Sequence, residues 1–383
     1  MKKILAMLLA LVMVLGLAAC GAPAAEAPAA SEAAYKVAMV TDYGDITDQS
    51  FNQTTYEACK AYAEANNVEF TYYKPAGDSD AERVAMIEKA VDEGYNVIVL
   101  PGFAFAAAIA TAAPQYPDVK FIALDVSEFD LTSAGLTAET MTNVYSAVYQ
   151  EELSGYMAGY AAVKLGYTKL GFLGGMAVPA VQKFGYGFVQ GADAAAKELN
   201  TTVDMNYIYG GLFYGTADIT AVMDTWYQGG TEVGFACGGG IYTSAVDAAK
   251  KVEGAKVIGV DVDQAGVIAN YAGMSDKSLT VTSAMKGLYP TTVDTLTDVI
   301  NNGNWAKYAG KVATLGLVSG DDPTANYVQI PMESTQWSDS FTQDDYKAMV
   351  KAMFDGTIVV SGDVSAEPAV TNVNVDYQGQ IVG

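Results

Sequence analysis

The chain has 383 residues, 44 acidic side chains against 21 basic ones, and no histidine. The missing histidine excludes His-based acid–base catalysis, Ser-His-Asp triads and the commonest zinc sites, and the negative balance repels nucleic acid and anionic lipid. Roughly 350 residues remain after an N-terminal leader, more than one core usually supports, so two lobes are expected.

The chain opens MKKILAMLLALVMVLGLAAC, with Lys2 and Lys3 ahead of an apolar run from Ile4 to Leu17 that is too short to span a bilayer as a mature helix. Residues 1–19 read as an export signal. Leu17-Ala18-Ala19-Cys20 resembles a bacterial lipobox, which makes Cys20 the expected site of lipidation. Residues 20–34, rich in Ala, Pro and Glu, read as a flexible tether between lipid and globule. Without Lys2 and Lys3 the mature chain sets 19 basic residues against 44 acidic, a balance of −25. Beyond Cys20 only Cys59 and Cys237 remain, and each reads as a small buried hydrophobe in a different lobe.

After the first apolar run, KVAMV, comes TDYGDITDQSFNQ (Thr41–Gln53), followed by a helical pattern from about Phe51. Strand, polar loop and helix in that order make a first βα turn, and in doubly wound sheets such loops wall the ligand site. Asp42, Asp45 and Asp48 crowd carboxylates where a phosphate cradle or dinucleotide fingerprint would need glycines. The alternative is structural: Asp48 or Ser50 caps the helix and Phe51 enters the core.

Strand-like and helix-like runs then alternate: EFTYYK, Asp80–Glu93, NVIVLP, Ala104–Ala113, KFIALD. They restart as KLGFLGG, Pro179–Leu199, VDMNYIY, Thr216–Gln228, EVGFACGG, Tyr242–Val252, KVIGVD. This is the pattern of βαβ units on parallel sheets. Gly94, Val97, Gly102, Ala112, Ala113, Lys120, Asp125 and Val126 match Gly230, Val233, Gly238, Ala248, Ala249, Lys256, Asp261 and Val262 at a constant offset of 136. Two lobes of one winding would present the same strand ends to a shared cleft.

Asp125 and Asp261 each end a buried-strand run and face the cleft or cap a turn. Gly238-Gly239-Gly240 after VGFAC either lets a ligand approach the backbone or is a flexible turn. Gly155 and Gly159 serve close helix packing. TVTSAMKG (Thr280–Gly287) and the following helix are expected to cross back to the first lobe, leaving Lys286 at the hinge or in solvent. The expected division is 35–135 with 277–305 for the N-terminal lobe, and 136–276 with 306–383 for the C-terminal lobe.

DxSFNQ at Asp48–Gln53, the GYMAG helix at Gly155–Gly159, GFLGGMAVPAVQKFGYGFVQG at Gly171–Gly191, the Gly238-Gly239 strand end and GVDVDQ at Gly259–Gln264 together resemble the basic membrane protein, or PnrA-like, family of lipoproteins. The resemblance covers nearly all of the mature chain. It implies an α/β, two-lobed periplasmic-binding-protein fold of type I, each lobe a doubly wound, mostly parallel sheet flanked by helices. It implies a purine-nucleoside receptor delivering to an ABC permease, lipid-anchored on the outer face of a bacterial membrane, monomeric, not an enzyme, and needing no cofactor or metal. Carried over by motif, Asn52 and Asp125 bond the base, while Gly238 or Gly239, Asp261 and Lys286 hold the ribose. Phe213 supplies one stacking ring. Thr41 stands where the family often has the other, so Tyr43, beside Asp42, is the substitute. A second departure is GGGIYTSA at Gly238–Ala245, where the family commonly has a glycine followed by Asn-Gly.

Bottom-up chemistry agrees with that ligand class, since carboxylates accept from vicinal hydroxyls or base N–H groups and aromatic faces supply area. Two alternatives stay open: a sugar-like or other small polar ligand on the same fold, and a nucleoside hydrolase using Asp42, Asp45 and Asp48 on a metal.

Overall fold

The computed structural model describes residues 34–137 and 139–382, so Cys20 and its lipobox lie outside the described residues. Five short apolar runs start the globule as strands: β1 (Lys36–Val40), β2 (Glu69–Tyr73), β3 (Val97–Pro101), β4 (Lys120–Leu124) and β5 (Val144–Tyr149). Between them lie α1 (Phe51–Asn66), α2 (Asp80–Asp92), α3 (Ala106–Ala112) and α4 (Glu128–Ser133). Helix α5 (Glu151–Lys164) leads into a second series: β6 (Lys169–Gly174), α6 (Pro179–Glu198), β7 (Val203–Tyr209), α7 (Ala217–Gln228), β8 (Val233–Cys237), α8 (Tyr242–Ala249), β9 (Lys256–Asp261), α9 (Ala265–Ala272) and β10 (Thr280–Lys286). The rest comprises α10 (Leu288–Leu296), α11 (Trp305–Tyr308), β11 (Lys311–Leu315), β12 (Val328–Gln329), α12 (Gln343–Phe354) and β13 (Val373–Gln380).

Two sheets result, ordered β11-β5-β4-β3-β1-β2 and β12-β10-β9-β8-β6-β7-β13. All pairings are parallel except β12 on β10. Central strands such as VIVLP and VGFAC are buried at every position, as strands covered by helices on both faces must be. Within each sheet the first two strands swap places, so β2-β1-β3-β4-β5 and β7-β6-β8-β9-β10 are the same winding. Both have a switch point where the order reverses, between β1 and β3 and between β6 and β8, and in such sheets the crevice outside those strand ends is where ligands bind.

The duplication extends to backbone conformation. Gly102 and Gly238 have φ of 125° and 133°, and Asp125 and Asp261 have φ of 61° and 66°. A non-glycine residue in the left-handed region is uncommon, so its recurrence at matched strand ends marks two copies of one turn that aims a carboxylate outward from the sheet.

Sheet membership differs from the expected lobe division at three strands. β5 belongs to the first sheet, β10 pairs with β9 in the second instead of crossing, and β11 returns to the first sheet beside β5. Only after β10 does the chain cross, and α10 packs on α1. The reason is pairing: β10 aligns Ala284 with Val260 and Met285 with Asp261, which completes the second winding with a strand equivalent to β5. Lys286 therefore rides on the second sheet. As expected, Gly155 and Gly159 serve helix packing; a Cβ there would lie 2.2 and 2.1 Å from the carbonyl oxygens of Phe184 and Phe188 on α6. Cys59 and Cys237 are free and buried, the first on α1 over the first sheet and the second at the end of β8 in the other.

Candidate ligand cleft

All nine residues expected at the site, Asp42, Tyr43, Asn52, Asp125, Phe213, Gly238, Gly239, Asp261 and Lys286, line one cavity of about 440 Å³ at the carboxyl ends of both sheets. The cavity is walled by the turns after β1, β3, β4, β6, β7 and β8 and by the end of β9, so both switch points open on it.

The β1 turn builds one wall. Asp48 is the capping group, its carboxylate accepting from the backbone N–H of Ser50, Asn52 and Gln53 at 2.9, 2.9 and 3.1 Å. Asp45 is pulled outward onto Lys74 at 2.6 Å. Asp42 stays inside, accepting from the Gly44 N–H at 2.6 Å and from Asn52 Nδ2 at 3.3 Å; burial outweighs those bonds and pushes its carboxyl up to about 6. The three aspartates thus divide into cap, rim and wall. Among the described residues no group of His, Cys, Asp or Glu is placed to hold a metal ion.

Two aromatic rings face each other across the lobes. Tyr43 and Phe213 are nearly parallel, with centroids 6.1 Å apart and an interplanar angle of 21°. Tyr43 is steadied by its hydroxyl donating to Met176 Sδ at 3.2 Å and by the Arg83 guanidinium 5.9 Å from its ring centre. Phe213 sits in a hollow of glycines: a Cβ at Gly175 would lie 2.3 Å from its Cδ1, and one at Gly238 2.6 Å. The missing side chain of Gly238 therefore makes room for Phe213 itself, while the backbone of Gly238 and Gly239 still lines the cavity. Gly239, at φ 51°, likewise abuts the Phe213 carbonyl oxygen.

Beneath the rings lies a buried ionic cluster. Lys286 Nζ pairs directly with Asp125 and lies 3.6 Å from Glu151 and 3.8 Å from Asp261. Burial disfavours the ammonium, but the three carboxylates together outweigh it and hold the pKa of Lys286 above its usual value. Burial pushes Glu151 up to about 8 despite Lys286, and Asp261 is likewise raised by burial. Lys286 is thus not solvated: at the end of β10, directly before the chain crosses between the lobes, it is the counter-ion of the cleft floor.

Some cleft contacts were not legible in the sequence. Ser50 Oγ, at the start of α1, donates to Asp261 Oδ2 at 2.5 Å, and Gln264 Nε2 donates to the Gln49 carbonyl at 3.0 Å. Both join the lobes. Glu151 carried a usable signal, being one of two carboxylates heading a helix that has no further charge before Lys164; Ser50 carried none beyond its place before α1. Among the side chains that line the cavity, two buried acceptors are left with no partner, Asn52 Oδ1 and Asp125 Oδ1. A buried acceptor without a donor is costly, and such atoms beside a cavity mark where a ligand's donors belong.

With this geometry in view, the model of the Bmp family, described as ABC transporter substrate-binding protein PnrA-like, matches residues 35–356. The chain belongs to this family. Bmp membership makes it a substrate-binding protein of the ABC transporter type. Among its relatives, the ABC transporter nucleoside-binding protein BmpA of Lactococcus lactis subsp. cremoris is 28% identical over 299 residues, covering 74% of this chain and 80% of the relative. Basic membrane protein A of Borreliella burgdorferi is 29% identical over 233 residues, 60% of this chain and 64% of that one. A solved ABC transporter solute-binding protein from Aeropyrum pernix K1 superposes with a TM-score of 0.66 at 21% identity, covering 85% of this chain and 87% of the other, a likeness of fold.

Proposed function

We propose that this Bmp protein captures a purine nucleoside between its lobes and hands it to a membrane ABC permease, as a monomer tethered outside the cell by lipid on Cys20. The observation that carries the reading is the Tyr43–Phe213 pair, two near-parallel rings at 6.1 Å beside the unpartnered acceptors Asn52 Oδ1 and Asp125 Oδ1. An aromatic base inserted between two rings needs roughly 7 Å from ring to ring, twice a carbon–carbon contact distance, so a small opening of the lobes admits it. The acceptors take base N–H groups, and Asp261 with Lys286 offers an acceptor and a donor to vicinal hydroxyls. The printed name of the Lactococcus relative, a nucleoside-binding protein, supports the same ligand class. Closure of both lobes on the ligand gives a permease a conformation to recognise.

Titration calorimetry of the detergent-solubilised full-length protein against nucleosides and ribose tests this. Nucleosides should bind far more tightly than ribose, and Tyr43→Ala and Phe213→Ala should each weaken them by about 1–3 kcal/mol, the scale of one base–aromatic contact. A nucleoside-to-ribose affinity ratio unchanged in Tyr43→Ala would remove the two-sided stack and favour a sugar-like ligand.

A further inference from the structure

Phe213 stands in a loop, residues 210–216, that is neither helix nor strand and joins β7 to α7. The first part of the loop is tied to the end of β6, where the Gly210 and Gly211 N–H groups donate to the Gly174 and Gly175 carbonyls at 2.7 and 2.9 Å. From Phe213 onward it is tied to the turn after β8 and the head of α8 instead. The Phe213 carbonyl accepts from the Gly240 N–H at 2.8 Å, and Tyr214 forms a parallel bridge with Gly240. The buried hydroxyl of Ser244 then takes both backbone groups of Thr216, accepting from its N–H at 3.1 Å and donating to its carbonyl at 3.1 Å, and it also accepts from the Thr220 hydroxyl at 2.9 Å. Gly215 lies so close beneath that a Cβ there would meet Thr243 Oγ1 at 2.2 Å and Ser244 Oγ at 2.8 Å. Gly240, Thr243 and Ser244 all belong to GGGIYTSA, the segment in which this chain departs from the family's usual glycine and Asn-Gly.

Resting on the nucleoside reading above, we infer that Ser244 is a positioning residue for the second-lobe ring: it clasps the loop that carries Phe213 onto the head of α8 and so holds the ring in the cleft before a ligand arrives. Ser244 does not line the cavity, so its effect on binding passes through the loop. An irregular loop has many conformations open to it, and a ring that must be ordered on binding charges its backbone entropy against affinity. The glycine hollow at Gly175 and Gly238 receives the ring but supplies no bond to the chain beyond it. That bond is the clasp. With alanine at position 244 the Thr216 N–H and carbonyl both lose the Ser244 hydroxyl, and the loop gains by leaving its place to hydrate them. Apparent affinity then falls by the fraction of molecules in which the ring is in place.

The test is titration calorimetry of the detergent-solubilised full-length protein with guanosine, inosine, adenosine and ribose, in wild type, Ser244→Ala, Phe213→Ala and the double variant. Ser244→Ala should weaken the nucleosides by roughly fivefold, the factor that one hydrogen bond supplies to the competent fraction, and should leave ribose unchanged. In the Phe213→Ala background it should change nothing further, because the loop no longer carries a ring. Gly215→Ala, which pushes the loop off Thr243 and Ser244 from the other side, should give the same nucleoside-only loss, and it decides the point if Ser244→Ala does not fold. Unchanged nucleoside affinity, equal losses for nucleosides and ribose, or a loss that persists undiminished without the Phe213 ring overturns the inference and leaves the nucleoside reading standing. No nucleoside exceeding ribose in wild type overturns the nucleoside reading itself, and the role of the clasp with it.

Discussion

Replacing Lys286 by methionine keeps the stem of the side chain and deletes the charge that three carboxylates share. In the folded protein Lys286 lies against Asp125, 3.6 Å from Glu151 and 3.8 Å from Asp261, and its side chain is 3% exposed. Each such pair attracts by about 4 kcal/mol at ~4 Å if the effective dielectric is about 20. Losing the attractions to Asp125 and Asp261, joined by that to Glu151 only as pH approaches about 8, is offset by no longer burying an ammonium, a cost of several kcal/mol, and by protonation of the stranded acids. The net expectation is the usual cost of removing one partner from a buried pair, about 3–5 kcal/mol, a large part of the ~5–15 kcal/mol that holds a domain folded. The pH dependence has a definite sign. Stranded carboxylates have folded pKa values above their unfolded ones, so the fold binds extra protons, is most stable below the unfolded pKa, and loses stability as pH rises. Urea denaturation followed by circular dichroism at about pH 5 and about pH 8 should therefore show a larger loss in Lys286→Met at the higher pH. A loss under about 1 kcal/mol, or one independent of pH, refutes the account of Lys286 as the counter-ion of the cleft floor.

Three further outcomes follow from particular contacts. Glu151, raised from 4.5 to about 8 by burial, should make wild type lose stability as pH climbs through that interval, in the same direction as Asp42, Asp48 and Asp261; Glu151→Gln should flatten the upper part of a melting temperature–pH curve, and parallel curves for the two proteins would show that Glu151 takes up no proton on folding. Gly175→Ala drives a methyl to within 2.3 Å of Phe213 Cδ1, so nucleoside affinity should fall about as far as in Phe213→Ala with little change in melting temperature; intact affinity would mean that the ring does not stack on the ligand. Cys20→Ala should move the protein from the membrane to the soluble fraction of cells, because no helix among the described residues is long and apolar enough to cross a membrane; retention in the membrane would argue for another anchor.

The sequence by itself determined the α/β class, the two matched windings and the strand ends at which Asp125 and Asp261 stand. Continuous apolar runs between amphipathic helices can be satisfied only by covered parallel strands, and the matched spacing required the same turn twice. Asn52, placed by the family motif, also stands where it was expected, because the loop that aims it is local. The tertiary structure decided the rest. Whether β10 and β11 join one sheet or the other depends on edges that become available only once both windings exist, and no local pattern encodes that choice. It also assigned the polar partners. Lys286 meets Asp125 across 161 residues and Ser50 meets Asp261 across 211, while Asp48, adjacent to the helix it caps, never reaches the opposite lobe. A carboxylate in a sequence is only a charge. Burial and the groups that the fold sets within a few ångströms of it decide whether it caps a helix, holds a lysine, or waits with an unmet lone pair for a ligand.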